Sequence, residues 1–100
     1  MSNIRLEVSP ELVGVLNSTA ADWVILNKEI KGNAKIRDIF IDLASTHPEF
    51  RKTVFDPDIG TVSEQVMIAI NGELVTIADV TEASIQGGDV VVITPVYIGG

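Results

Sequence analysis

The chain has no cysteine and a single histidine. Without thiols it forms no disulfide, no thiolate metal site and no cysteine nucleophile. Positive charge is scarce too: seven Lys and Arg stand against fourteen Asp and Glu, for a net charge of −7. A nucleic-acid binder of this size needs the opposite balance to neutralise phosphates, and an anionic membrane surface repels such a chain. Aromatics are few, one Trp, one Tyr and three Phe. No apolar run approaches the roughly 20 residues that a membrane-spanning helix needs. The opening Met1-Ser2-Asn3-Ile4-Arg5 lacks the charged-then-apolar pattern of a secretory leader, so the expected location is cytoplasmic.

What is present is aliphatic. Hydrophobic residues make up 46% of 100 residues. A chain this short forms one domain with a thin core. Its Val, Ile and Leu favour strands and small amphipathic helices. The acidic balance suits association with basic partner surfaces.

The elements follow from periodicity. Ile4-Arg5-Leu6-Glu7-Val8 alternates and predicts a strand, ended by Ser9-Pro10. Glu11 to Ala21 reads as a short helical turn or a loop, and Trp23 to Leu26 as a second strand. Ile36, Ile39, Phe40, Leu43 and Ala44 form one helical stripe, leaving Ile41 off it. Asn33 is the expected N-cap, and His47-Pro48 the end. Pro48 suits the first turn of a second short helix, Glu49 to Val54, before a loop at 56–60. Gln65 to Ile70 predicts a central strand, and Asn71-Gly72 a tight turn into Glu73 to Thr76. A connection, Ala78 to Ser84, and a Gly87-Gly88-Asp89 turn lead to a strand over Val90 to Ile93. Two strands, a helix and returning strands give an α+β, β-grasp arrangement: a mixed sheet of about five strands with one main helix across it. The expected boundaries are a domain over 1–94 and a tail over 95–100.

The motifs that carry chemistry elsewhere have plainer readings here. His47 precedes a proline at a helix end and is assigned to capping rather than catalysis or metal binding. Asp56 and Asp58 lack the further ligands of a calcium loop and are assigned to a turn. Gly87-Gly88 has no following helix or lysine and is no phosphate loop. Trp23 is assigned to sheet packing. No nucleophile–base pair is visible, so no catalytic residue and no metal ligand is assigned.

From Ala34 onward the sequence resembles the ubiquitin-like sulfur carriers of the ThiS and MoaD type, particularly the small subunit of molybdopterin synthase. The resemblance rests on Arg37-Asp38, His47-Pro48-Glu49, Ile70-Asn71-Gly72-Glu73, Gly87-Gly88-Asp89-Val90, Pro95 and terminal Gly99-Gly100, in that order. It implies a carrier rather than an enzyme. An E1-like adenylating partner activates the Gly100 carboxylate with ATP, sulfur converts it to a thiocarboxylate, and a synthase subunit or biosynthetic enzyme accepts the sulfur. The carrier itself binds no cofactor, nucleic acid or membrane.

The tail chemistry is also argued from its residues. Only the Gly100 carboxylate must react, inside another protein's site. Two residues without side chains pass a narrow channel and accept unusual backbone angles. Pro95 fixes one φ near the tail's root and limits what is lost on docking. Tyr97 is either a docking contact or folds back on the sheet, and Ile98 completes the segment that enters the partner's site. By analogy with the fold, Leu74 and the exposed side of the last strands are a hydrophobic docking patch. Two alternatives share this terminus: a modifier joined through Gly100 to a lysine amine, and an interaction domain whose diglycine is inert.

Overall fold

A computed structural model describes residues 2–16 and 22–96. Strand β1 (Ser2–Val8) alternates as expected and buries Ile4, Leu6 and Val8. A 3-10 segment, Pro10–Leu16, follows. Strand β2 (Val24–Ile30) pairs antiparallel with β1 along its whole length. It runs four residues beyond the expected end at Leu26, past Lys28. By its register opposite Ile4, Lys28 lies on the helix-facing side, where its ammonium pairs with Asp42. That contact, with an apolar stem to lie along the surface, lets a lysine occupy an inward position.

A two-residue strand, β3 (Ala34–Lys35), leads into helix α1 (Ile36–Thr46). Its buried residues are the predicted stripe, Ile36, Ile39, Phe40, Leu43 and Ala44, and Ile41 is exposed. The cap differs from expectation: it is Lys35, not Asn33. Because Ala34–Lys35 pairs with a later strand, the chain is still extended at Lys35. Its backbone N–H then donates to Asp38 Oδ2 at 3.0 Å. The acidic end of that reciprocal contact suffices to start the helix.

Helix α2 (Pro48–Thr53) begins on Pro48, and its Phe50 packs edge-on against Phe40 at 5.4 Å. Strands β4 (Phe55–Asp56) and β5 (Thr61–Val62) form a small ribbon across the stretch expected to be a loop. Phe55 is buried beside Phe40, its ring 5.9 Å away. Strand β6 (Val66–Ile70), a turn at Asn71-Gly72 and strand β7 (Glu73–Val75) make the predicted hairpin, with φ of +52° and +86° at the two turn residues. Positive φ at both positions is what a two-residue hairpin turn requires. Helix α3 (Ile77–Val80) is one turn capped by Thr76. Strand β8 (Ser84–Ile85) pairs with β3, and β9 (Val90–Pro95) closes the fold.

The main sheet has five strands in the order β2-β1-β9-β6-β7. Strands β1 and β9 are parallel and every other neighbour is antiparallel. The helices cover one face, and the core is the layer between: Ile4, Leu6, Val91, Ile93 and Ile68 from the sheet, Ile36, Phe40 and Leu43 from α1. This is the β-grasp arrangement. Among the described residues the other face of the main sheet carries no helix.

Candidate functional site

Of the residues assigned to the tail, Pro95 and Val96 are described, and Tyr97, Ile98, Gly99 and Gly100 lie outside the described residues. Pro95 belongs to β9, opposite Val66, so the strand passes the boundary drawn at residue 94. The ladder explains why a proline fits. Asn71 N–H donates to Val90 O at 2.8 Å and Val96 N–H to Gln65 O at 2.9 Å. Alternate residues therefore face β6, and the nitrogen of Pro95 faces β1, whose pairing has ended with Val8 opposite Ile93. No ladder bond is lost, so the proline ends the sheet without weakening it.

The chain beyond Val96 thus starts from a fixed point at one end of β9. Beside it lies the uncovered sheet face. Register places Leu74, Ala69 and Val92 in one row across β7, β6 and β9, with Met67 and Thr94 in the next row. Leu74 is 71% exposed and Met67 36%. The patch inferred by analogy from Leu74 therefore exists as a short apolar stripe that leads toward the root of the tail. Across β1 and β2 the same face turns polar: Glu7 carries the row on to Ile25, and Arg5 pairs with Glu7 at 3.4 Å.

Charge adds a feature that motif reading missed. All seven Lys and Arg lie at or before Lys52, whereas seven of the fourteen acids lie after it. The first half of the chain is electrically neutral, and the half that builds β5 to β9 is purely acidic. Three of those late acids meet cations of the first half. Glu82 accepts from Lys35 Nζ at 2.6 Å and Arg37 Nη1 at 3.0 Å, while Asp56 and Asp58 lie against Arg51. Among the described residues Glu64, Glu73, Asp79 and Asp89 form no ion pair: Glu64 precedes β6, Glu73 opens β7, Asp79 lies in α3 and Asp89 precedes β9. Lys35 hydrogen-bonds Glu82 and holds its carboxyl below the ordinary carboxylate value, with the fields of Lys35 and Arg37 adding to the effect. A signed charge count by halves of the sequence would have found this asymmetry.

The remaining assignments resolve simply. His47 is the C-cap of α1, with its ring nitrogen Nδ1 3.2 Å from Leu43 O and 2.8 Å from Thr46 Oγ1. Asp56 Oδ1 accepts from the Asp58 N–H at 2.9 Å and shapes the β4–β5 turn. At Gly87-Gly88, Gly88 has φ of +90°, and a Cβ on Gly87 would stand 2.5 Å from Ser2 Cβ, so the pair makes a tight turn against the start of β1. Trp23 sits just before β2 at the sheet edge and is 44% exposed. No helix among the described residues is long and apolar enough to cross a membrane.

The fold is shared with solved proteins. The chain is similar to the small archaeal modifier protein 1 of Haloferax volcanii, with a TM-score of 0.70, 20% identity, and 97% of this chain and 100% of that one covered. It is also similar to a putative molybdopterin converting factor, subunit 1, from Pyrococcus furiosus, with a TM-score of 0.66, 21% identity, and coverage of 97% and 100%. The small archaeal modifier protein 1 of Methanosarcina acetivorans gives a TM-score of 0.66 at 18% identity, covering 100% and 98%. At these identities the likeness shows the fold. Comparison with curated protein sequences returns no match. The ThiS family model matches residues 20–100, and with most of its length covered the chain belongs to the ThiS family, within the ubiquitin-like β-grasp proteins.

Proposed function

We propose that this protein is a sulfur carrier whose reactive group is the Gly100 carboxylate. A carboxylate oxygen attacks the α-phosphorus of ATP in an E1-like partner and displaces pyrophosphate. The resulting acyl adenylate is attacked at its carbonyl carbon by hydrosulfide, which loses its proton. AMP leaves with the former carboxylate oxygen, and a thiocarboxylate remains. A biosynthetic enzyme or synthase subunit then takes the sulfur. The carrier is the substrate throughout, and the acid, base and metal chemistry belongs to its partners.

The reading rests chiefly on the family match, which runs through Gly99-Gly100. The geometry of the root agrees with it. Beyond Val96 the four residues Tyr97 to Gly100 span at most about 14 Å when extended. That is enough to put a carbonyl into a neighbouring site while the body docks through the Leu74–Met67 stripe. The acidic half around that stripe suits a partner surface with basic residues around an apolar contact.

Intact-mass measurement of the protein isolated from its native host tests the chemistry. Exchange of one oxygen for sulfur at the C-terminus supports the carrier. Peptides branched at lysine with a glycine remnant would instead identify a modifier. Incubation with ATP and the cognate activating enzyme should release pyrophosphate. Removing Gly100 should abolish that release and leave the melting temperature nearly unchanged, since the sheet ladder closes with the Val96 N–H on Gln65 O, four residues before it.

A further inference from the structure

Among the described residues the five-stranded sheet has two unpaired edges, β2 and β7, and they differ. Strand β7 offers three residues and sits in the acidic half. Strand β2 offers seven, Val24–Ile30, in the neutral half. A long unpaired strand presents a row of backbone donors and acceptors that another strand can complete. Beside it, between β2 and the start of α1, lies an open groove of about 390 Å³. Ile30, Ala34 and Ile39 give the groove apolar walls, and Lys28 and Asp42 close one side. Trp23 and Ile25 stand exposed along the opposite side of the same edge.

We propose that the β2 edge is an interface with a second copy of this chain. The two β2 strands pair antiparallel about a two-fold axis at Asn27, and Val24 and Leu26 of each copy enter the groove of the other. The register follows from the residues. Directly opposed residues in an antiparallel pair lie on the same face, so the axis must pass through a residue if the helix-covered faces are to align. An axis at Lys28 sets two ammonium groups against each other. An axis at Leu26 sets Ile30 against Asp22. An axis at Asn27 opposes no like charges: Lys28 meets Leu26, Glu29 meets Ile25, and Ile30 meets Val24. Just beyond the strand ends Lys31 meets Trp23, an ammonium over an indole. The pairing is self-complementary, as a two-fold interface must be. It joins the neutral halves and keeps the acidic halves apart. The tail roots leave at opposite ends of a continuous ten-stranded sheet, so both copies keep the Leu74–Met67 stripe and the tail open.

The absence of cysteine makes a clean test possible. Asn27→Cys places a thiol opposite itself at about 4.5–5.5 Å between Cα atoms, within disulfide reach. Under mild oxidation at micromolar concentration it should form a covalent dimer. Glu29→Cys alone should form no covalent dimer, and an equimolar mixture of Glu29→Cys with Ile25→Cys should cross-link. Sedimentation equilibrium of the unmodified protein should show twice the 10.7 kDa chain mass at the higher concentrations. Asn27→Lys, which opposes two charges at the axis, should shift it to monomer, with a melting temperature equal to that of the unmodified protein at concentrations where the latter is already monomeric. A monomer at every concentration up to about 1 mM overturns the proposal. So does self-linking of Glu29→Cys as readily as Asn27→Cys.

Discussion

Asn71 ties two parts of the fold together with one side chain. Its carbonyl accepts from the Val90 N–H at 2.9 Å, and its amide donates to Asp89 Oδ1 at 3.0 Å. The same residue holds the positive φ of the turn. Asn71→Ala should therefore cost about 1–3 kcal/mol in chemical denaturation. Asn71→Gly keeps the backbone freedom and isolates the two hydrogen bonds, so it should cost less. Glu82 gives a pH prediction. Folding lowers its pKa below the ordinary 4.5, Lys35 being the main cause. A carboxylate depressed in this way stabilises above its unfolded value and loses that contribution as pH falls through the folded one. Melting curves of Glu82→Gln and the unmodified protein should thus differ most near neutrality and converge well below pH 4.5. The group is solvent-exposed, so the difference is small and should shrink with added salt.

Helix α1 and the three phenylalanines form the packing unit that keeps the sheet's other face free. Ile39 and Ile68 are both nearly fully buried, one from the helix and one from the sheet. Replacing either by alanine should lower unfolding free energy by about 2–5 kcal/mol through the cavity left behind. At this scale much was readable in advance. The stripe of α1 and the Asn71-Gly72 hairpin have strong periods or strong turn chemistry. Strands β3, β4, β5 and β8 were not readable, because two residues show no period and each exists only through a distant or looped partner. The end of β2 was missed for another reason. Lys28 occupies an inward position, and its partner Asp42 is fourteen residues away. Leu74 and the outer side of the last strands were marked in the sequence only by analogy with the fold; that Met67, Ala69 and Val92 share its stripe was not legible, since they meet only through register.

For the whole molecule, the division of charge decides how it meets others. On the proposed function, a docking face within the acidic half should bind an E1-like partner faster at low ionic strength, with association slowing as salt is added and dissociation changing little. Leu74→Ala should weaken that complex by about tenfold or more if the stripe is its centre, while the melting temperature stays nearly the same. Stopped-flow binding at several salt concentrations separates the two contributions. The parallel neighbours β1 and β9 carry a mechanical consequence. The chain enters along one and leaves along the other, and Leu6 opposite Val91 and Val8 opposite Ile93 hold them in step. Traction on the C-terminal end, with the body anchored through β1, runs along these strands and loads their cross-links in shear, so they must give way together rather than one at a time. A pull on the residues beyond Val96 is therefore resisted by this whole block before the last strand slips.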